Sequence, residues 1–206
     1  MKNKIFIIII LFFLNFLCLK KAFSADQFNF DVTEIEILKE GNLIKGLKGG
    51  TVSTDGGIVI DADNFIYDKI LNELEAIGNV KILDTVNNYK ILSNKIFYKK
   101  NEELIISQEN SKAYLGNVEI YGDIFEYYKF ENIFNAKKNV RIYDNINQVE
   151  ILSENVNYNK NKEIFFSEGK TESKIQSKYN FISSDVIFLR NNMELKSNEK
   201  TNIKDD

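Results

Sequence analysis

The chain has 206 residues, 44% of them hydrophobic and 28% charged, with a formal net charge of −3. That suits a single domain with a buried core. It contains no His, no Pro and no Trp, and its one Cys is Cys18. The usual zinc, copper and haem ligand sets are therefore missing, as are Ser-His-Asp and Cys-His nucleophile pairs. Arg occurs only at Arg141 and Arg190 amid abundant Lys, Asn, Ile and Phe. An AT-rich coding sequence produces the same bias, so the choice of Lys over Arg carries no functional reading.

Residues 1–24 read as an export signal. Lys2 and Lys4 precede an apolar run from Ile5 to Leu19, broken only by Asn15, and Ala22-Phe23-Ser24 places small residues for cleavage after Ser24. The run is shorter than the roughly 20 residues of a membrane span. An uncleaved anchor flanked by Lys20 and Lys21 is the competing reading. Cys18 follows Asn15-Phe16-Leu17, which lacks the small residues of a lipoprotein site. The segment holds four Lys and no acid, so residues 25–206 keep 23 basic and 30 acidic residues, a net charge of −7, and no cysteine. Such a domain must hold itself by packing and backbone pairing rather than disulfides. Its acidity disfavours nucleic acid as a partner, because phosphate binding needs a basic face.

From Phe30 onward the chain repeats itself. Ile60-Asp61-Ala62-Asp63-Asn64-Phe65-Ile66-Tyr67 recurs from Ile91, Ile120, Ile151 and Phe181, at steps of 31, 29, 31 and 30 residues. A degenerate earlier copy starts at Phe30, with Val32, Ile35 and Ile37 in register. The second half of each unit keeps the same phase: Leu74-Glu75-Ala76 matches Ile105-Ile106-Ser107, Phe134-Asn135-Ala136, Phe165-Phe166-Ser167 and Leu195-Lys196-Ser197. About six units of some thirty residues thus cover the chain to Ile203. Each alternates with the period of two that marks strands, and polar stretches such as Lys99-Lys100-Asn101 suit the turns. No 3.6-residue period follows the signal, which predicts a mostly β protein with no helix longer than two turns.

Ile60 and Ala62 share one parity, while Phe65 and Tyr67 share the other. If both pairs face inward, the strand must slip by one residue near Asp63-Asn64, as a bulge or sharp bend allows. A bend there would wrap each strand around a narrow core.

Candidate chemistry is thin. Asp61 and Asp63 begin like a calcium loop, but Phe65 and the lack of a following Gly end the match. Asp63 reads as a bend residue that satisfies nearby backbone. Glu102-Glu103 lies in a turn-like polar stretch and reads as solvated surface. Gly49-Gly50-Thr51 has no P-loop lysine. Tyr67, Tyr98, Tyr127 and Tyr158 recur in phase with Ile and Ala, and so read as core or groove wall. No residue stands out as catalytic, no cofactor or metal is implied, and the expectation is a protein that is not an enzyme.

The unit Ala62-Asp63-Asn64-Phe65-Ile66-Tyr67-Asp68, followed by Leu74-Glu75-Ala76-Ile77-Gly78-Asn79-Val80, resembles the organic-solvent-tolerance A-like repeat of the lipopolysaccharide transport family. Later copies drift: Lys138-Asn139-Val140 keeps Asn-Val and loses Gly. The resemblance spans nearly all of residues 30–203. It implies an open, V-shaped β-jellyroll whose apolar interior carries lipid A acyl chains across the periplasm toward the outer membrane. Modules of the family join edge to edge. Implied partners are lipopolysaccharide, other transport modules met through the jellyroll edges, and an outer-membrane barrel if the chain corresponds to the N-terminal domain of the assembly protein rather than to the stand-alone bridge protein. The implied location is the periplasm, with outer-membrane association on the assembly-protein reading.

Carried onto this chain, the groove-lining set is Ile60, Ala62, Phe65, Tyr67, Leu74, Ala76, Val80, Ile82, Ile91, Ile96, Tyr98, Ile120, Phe125, Tyr127, Phe134, Val140 and Ile142. The competing class is an exported structural β-repeat, a solenoid acting as scaffold or adhesin, whose core would be packed solid.

Overall fold

A computed structural model describes residues 28–205. The signal-like segment 1–24 lies outside the described residues. Sixteen strands build one antiparallel sheet: β1 (Asn29–Leu38), β2 (Leu43–Ser53), β3 (Ile58–Ala62), β4 (Asn64–Asp68), β5 (Glu73–Asp84), β6 (Tyr89–Lys99), β7 (Leu104–Leu115), β8 (Val118–Tyr128), β9 (Ile133–Asp144), β10 (Val149–Asn159), β11 (Ile164–Glu168), β12 (Lys170–Ile175), β13 (Tyr179–Ser184), β14 (Ile187–Leu189), β15 (Glu194–Lys196) and β16 (Asn202–Asp205). Among the described residues the only helical pieces are three 3-10 turns of three residues each, in line with the period-two alternation and the absence of a helical period.

The chain meanders, and every long strand bends in the middle. Register shifts fall between Ile77 and Val80, Leu92 and Lys95, Gln108 and Ser111, Tyr121 and Ile124, and Ser153 and Asn155. These breaks line up across the sheet and fold it into two walls, so each strand contributes half of itself to either wall. The near wall holds the halves around Ile60, Ile82, Ile91, Ile120, Ile142 and Ile151. The far wall holds those around Phe65, Ala76, Ile96, Phe125, Ala136 and Val156. The bend predicted at Asp63 is where β3 ends and β4 begins. It brings Ile60 and Phe65, of opposite parity, both to 0% exposure.

The bend itself is made by residues that tolerate left-handed backbone. Gly78 (φ +82°) and Asn79 (φ +47°) occupy it in β5, and Lys138 and Asn139 (φ +64° and +53°) sixty residues on. A Cβ on Gly78 would stand 2.3 Å from an Asp63 carboxylate oxygen, so a side chain there would force that carboxylate aside and strain a left-handed backbone. Asp63 was expected to serve nearby backbone. Instead its carboxylate accepts from the Asn79 side-chain amide at 2.9 Å, and Asp123 accepts from Asn139 in the same way at 3.1 Å. Inside the bend runs a row of hydroxyls, all buried except the half-buried Ser153: Ser93, Ser107 and Ser111 bond to one another, as do Ser153, Ser167 and Thr171. They satisfy the polar demand where the ladder breaks.

The far wall ends in β1 on one side and β15 on the other; the near wall ends in β1 and β16. In β1, a bulge between Val32 and Glu34 crosses it from one wall to the other. Phe30 and Val32 pack on the core. Ile35 and Ile37, opposite Gly46 and Ile44, keep the inward parity but are 48% and 65% exposed, because no further strand covers them.

Candidate functional site

All seventeen groove-lining candidates face the space between the walls and are buried. Ile60, Ala62, Val80, Ile82, Ile91, Ile120, Val140 and Ile142 come from the near wall. Phe65, Tyr67, Leu74, Ala76, Ile96, Tyr98, Phe125, Tyr127 and Phe134 come from the far wall. They form one contiguous cluster with Ile151, Val156, Tyr158, Phe165 and Phe188. Aromatic rings thread it: Phe125 lies 4.8 Å from Phe134, and Tyr158 stacks on Phe165 at 3.9 Å. In this conformation the trough is filled by the protein's own side chains.

The side of the V opposite the bend, its lip, is where the turns of both walls meet, and polar bonds span it. From the far wall, the Tyr127 hydroxyl donates to Asp84 of the near wall at 2.8 Å, and the Asn87 amide donates to the same hydroxyl at 2.9 Å. From the near wall, Tyr89 donates to Asn132 at 3.0 Å. Toward the C-terminal end, Arg190 of the far wall holds Asp144 of the near wall through Nε (2.7 Å) and Nη2 (3.2 Å), while its Nη1 holds Glu163 at 2.7 Å. Toward the N-terminal end Phe28 crosses the lip, packing edge-on against Tyr67 at 4.9 Å and Tyr98 at 5.4 Å. The recurring tyrosines therefore bury their rings in the core and carry their hydroxyls to the lip.

Burial and charge make these groups unusual. Burial raises the Tyr127 hydroxyl far above the ordinary tyrosine value, and the Asp84 carboxylate adds to it. Burial also raises Tyr98 and Tyr158, with Glu103 and Glu163 adding to it, while Tyr89 is pushed up to about 12 by burial. Burial works to raise the Asp144 carboxyl, but the Arg190 guanidinium and the Asn147 donors outweigh it and hold the group below its usual value. Glu163 follows the same pattern, with Lys160, Arg190 and Tyr158 outweighing burial.

Three readings of the sequence change here. Glu102 is exposed, but Glu103, expected to be solvated surface, is 5% exposed. It accepts from Tyr98 and pairs with Lys100 and Lys129 inside the lip. Lys100, which reads as a turn residue, is buried beside it. Arg190, set aside as a matter of codon supply, is the cation that joins the walls. The signal that finds this set is a period of sixty rather than thirty. Asp84, Asn87, Tyr98, Lys100 and Glu103 recur as Asp144, Asn147, Tyr158, Lys160 and Glu163. Backbone pairing shows what fills the partner positions. Ile105 faces Tyr127 and Phe165 faces Phe188, while Lys129 N–H donates to Glu103 O as Arg190 N–H does to Glu163 O. Phe188 has no hydroxyl to offer Asp144, and the longer donor on Arg190 takes its place.

Other candidates gain nothing from the structure. Asp61 bonds Thr51 and Lys81 on the outer face of the near wall, away from Asp63 at the bend. Among the described residues no cluster of three or more potential metal-ligating side chains occurs, and no helix is long and apolar enough to cross a membrane. A cleft of about 760 Å³ lies on the outer face of the near wall, lined by Tyr121, Arg141, Tyr143 and Leu152.

With the geometry in hand, comparison with known proteins is informative at the level of fold. No family model matches the chain, and no curated protein matches it by sequence. Among solved structures it is similar to LptH of Pseudomonas aeruginosa, described as the LptA-homologous periplasmic component of the lipopolysaccharide transport device. The TM-score is 0.50 at 13% identity, over 54% of this chain and 82% of that one. Over that span the two share a fold. The bent antiparallel sheet is thus an LptA-like β-jellyroll.

Proposed function

We propose that this protein is a non-enzymatic carrier of lipopolysaccharide across the periplasm toward the outer membrane, shielding acyl chains between its walls. The observation that carries the reading is the single apolar stripe running through every repeat between two bent walls, in a fold shared with a protein described as part of a lipopolysaccharide transport device. An acyl chain in water costs roughly 0.8 kcal/mol per methylene, so a lipid with several chains needs a continuous apolar path. The stripe also runs uncovered off both ends, at Ile35 and Ile37 on β1 and at Ile203 (67% exposed) on β16. Unpaired edges with apolar residues at inward positions suit joining to another transport module or to a barrel-bearing partner. With two arginines and an acidic surface, anionic head groups stay in water outside the trough.

The second reading, an exported β-repeat scaffold, draws on one observation: the interior is filled by the chain's own side chains. The two separate in solution. On the carrier reading the protein binds a lipid-like fluorophore, with the emission shift of an apolar environment, and lipopolysaccharide displaces it. A scaffold with a permanently packed core gives neither signal.

A further inference from the structure

Large exposed apolar side chains are not scattered over this molecule. Apart from those on the first strand and those from β13 onward, they sit at turn tips along the lip: Ile70 (75%), Leu71, Phe130 (75%) from the far wall and Val86 (71%), Ile146 (64%) from the near wall. Two of these positions repeat at sixty residues, Ile70 with Phe130 and Val86 with Ile146. Directly beneath this fringe lie the bonds that hold the walls together, Tyr127 to Asp84 and Arg190 to Asp144. Beneath those lies the apolar core. Near the N-terminal end the lip already gapes: a cleft of about 370 Å³ is lined by Ile70 of the fringe together with Phe28, Ile44 and Tyr67 of the interior.

From this layering we propose that the lip is a lateral portal for single acyl chains, with the apolar fringe as the first contact and the wall-to-wall polar bonds as the latch. The proposal rests on the carrier reading and adds the route. A chain leaving a lipid surface meets apolar side chains at the turn tips, which lowers the cost of its exposure. The latch groups are short-range polar contacts; separating the walls rehydrates Asp144, Arg190 and Asp84 at the lip, which offsets part of the loss. No bond of the sheet ladder has to break, because the two walls share strands only at the bend. The device is strongest at Arg190, where one guanidinium engages both walls, with Asp144 and Glu163 at 1% and 17% side-chain exposure.

The test is the rate at which a fluorescent single-chain lipid passes from phosphatidylcholine vesicles to the protein, alongside the amount bound at saturation. Phe130→Ser with Ile146→Ser, both on exposed turn tips, should slow loading about tenfold and leave the saturating amount unchanged. Arg190→Met with Asp144→Asn removes the latch without stranding a charge and should speed loading severalfold. Ile35→Ser with Ile37→Ser, at the open end of the trough, should leave the rate at the parent value. Loading at the parent rate by both lip variants, or slowing by the end variant alone, overturns the portal and assigns entry to the ends. If neither the parent nor any variant takes up lipid at saturation, the carrier reading itself fails.

Discussion

Phe65→Ala should lower the free energy of unfolding by about 4 kcal/mol, the middle of the range for removing a large buried aromatic side chain. Phe65 is 0% exposed and stands just past the bend, opposite Gly46 on one side and Ala76 on the other. Both neighbours are small because the ring takes the space: the Gly46 Cα would carry its Cβ only 3.3 Å from the Phe65 ring. Alanine at 65 therefore leaves a void flanked by residues too small to fill it. The rigid β ladder on both sides limits collapse, so the cost should not fall to the low end of the range. Chemical denaturation of parent and variant, with unchanged dependence on denaturant, checks the figure. A loss below about 1 kcal/mol would mean that the trough relaxes freely.

Arg190→Ala should cost about 3 kcal/mol or more, because it leaves Asp144 buried at the lip without its cation. The paired replacement Arg190→Met with Asp144→Asn should recover most of that loss. The pH dependence follows from the depressed carboxyls. Asp144 and Glu163 have folded values below their ordinary ones. Their contribution is complete above the ordinary carboxylate range near pH 4 and is lost as pH falls through the lower folded values. Tyr158, whose hydroxyl donates to Glu163, is pushed up by burial and stays protonated throughout that window. Stability of the parent should therefore drop below about pH 4 more steeply than that of the paired variant. Melting curves between pH 3 and 7 measure the difference, and equal slopes would remove the latch from the account.

Much of the fold is legible in the sequence because it rests on local pattern. Alternation at Ile58, Ile60 and Ala62 specifies a strand with one buried face. The parity change between Ala62 and Phe65 specifies a bend, and its return in each unit specifies that the bends line up. All seventeen groove candidates face the interior for that reason. The lip is a different matter. Tyr127 and Asp84 are 43 residues apart and Arg190 and Asp144 are 46 apart, so no local rule relates them. In Lys99-Lys100-Asn101-Glu102-Glu103 the run of charge looks like any solvated turn, and only the approach of the opposite wall buries Lys100 and Glu103. The edge strand shows the converse. Ile35 and Ile37 keep the inward pattern, yet burial needs a covering strand that the described chain does not supply.

On the carrier reading, acyl chains travel between the walls. Photo-crosslinking residues at Phe65, Leu74 and Ile96, all at 0% exposure and facing the trough, test it most directly when compared with probes at Lys90 and Lys95, on the outer faces of the near and far walls. During transport in cells the three interior probes should capture lipopolysaccharide and the two outer probes should not. Equal capture at both sets, or capture only at the outer positions, would contradict the account.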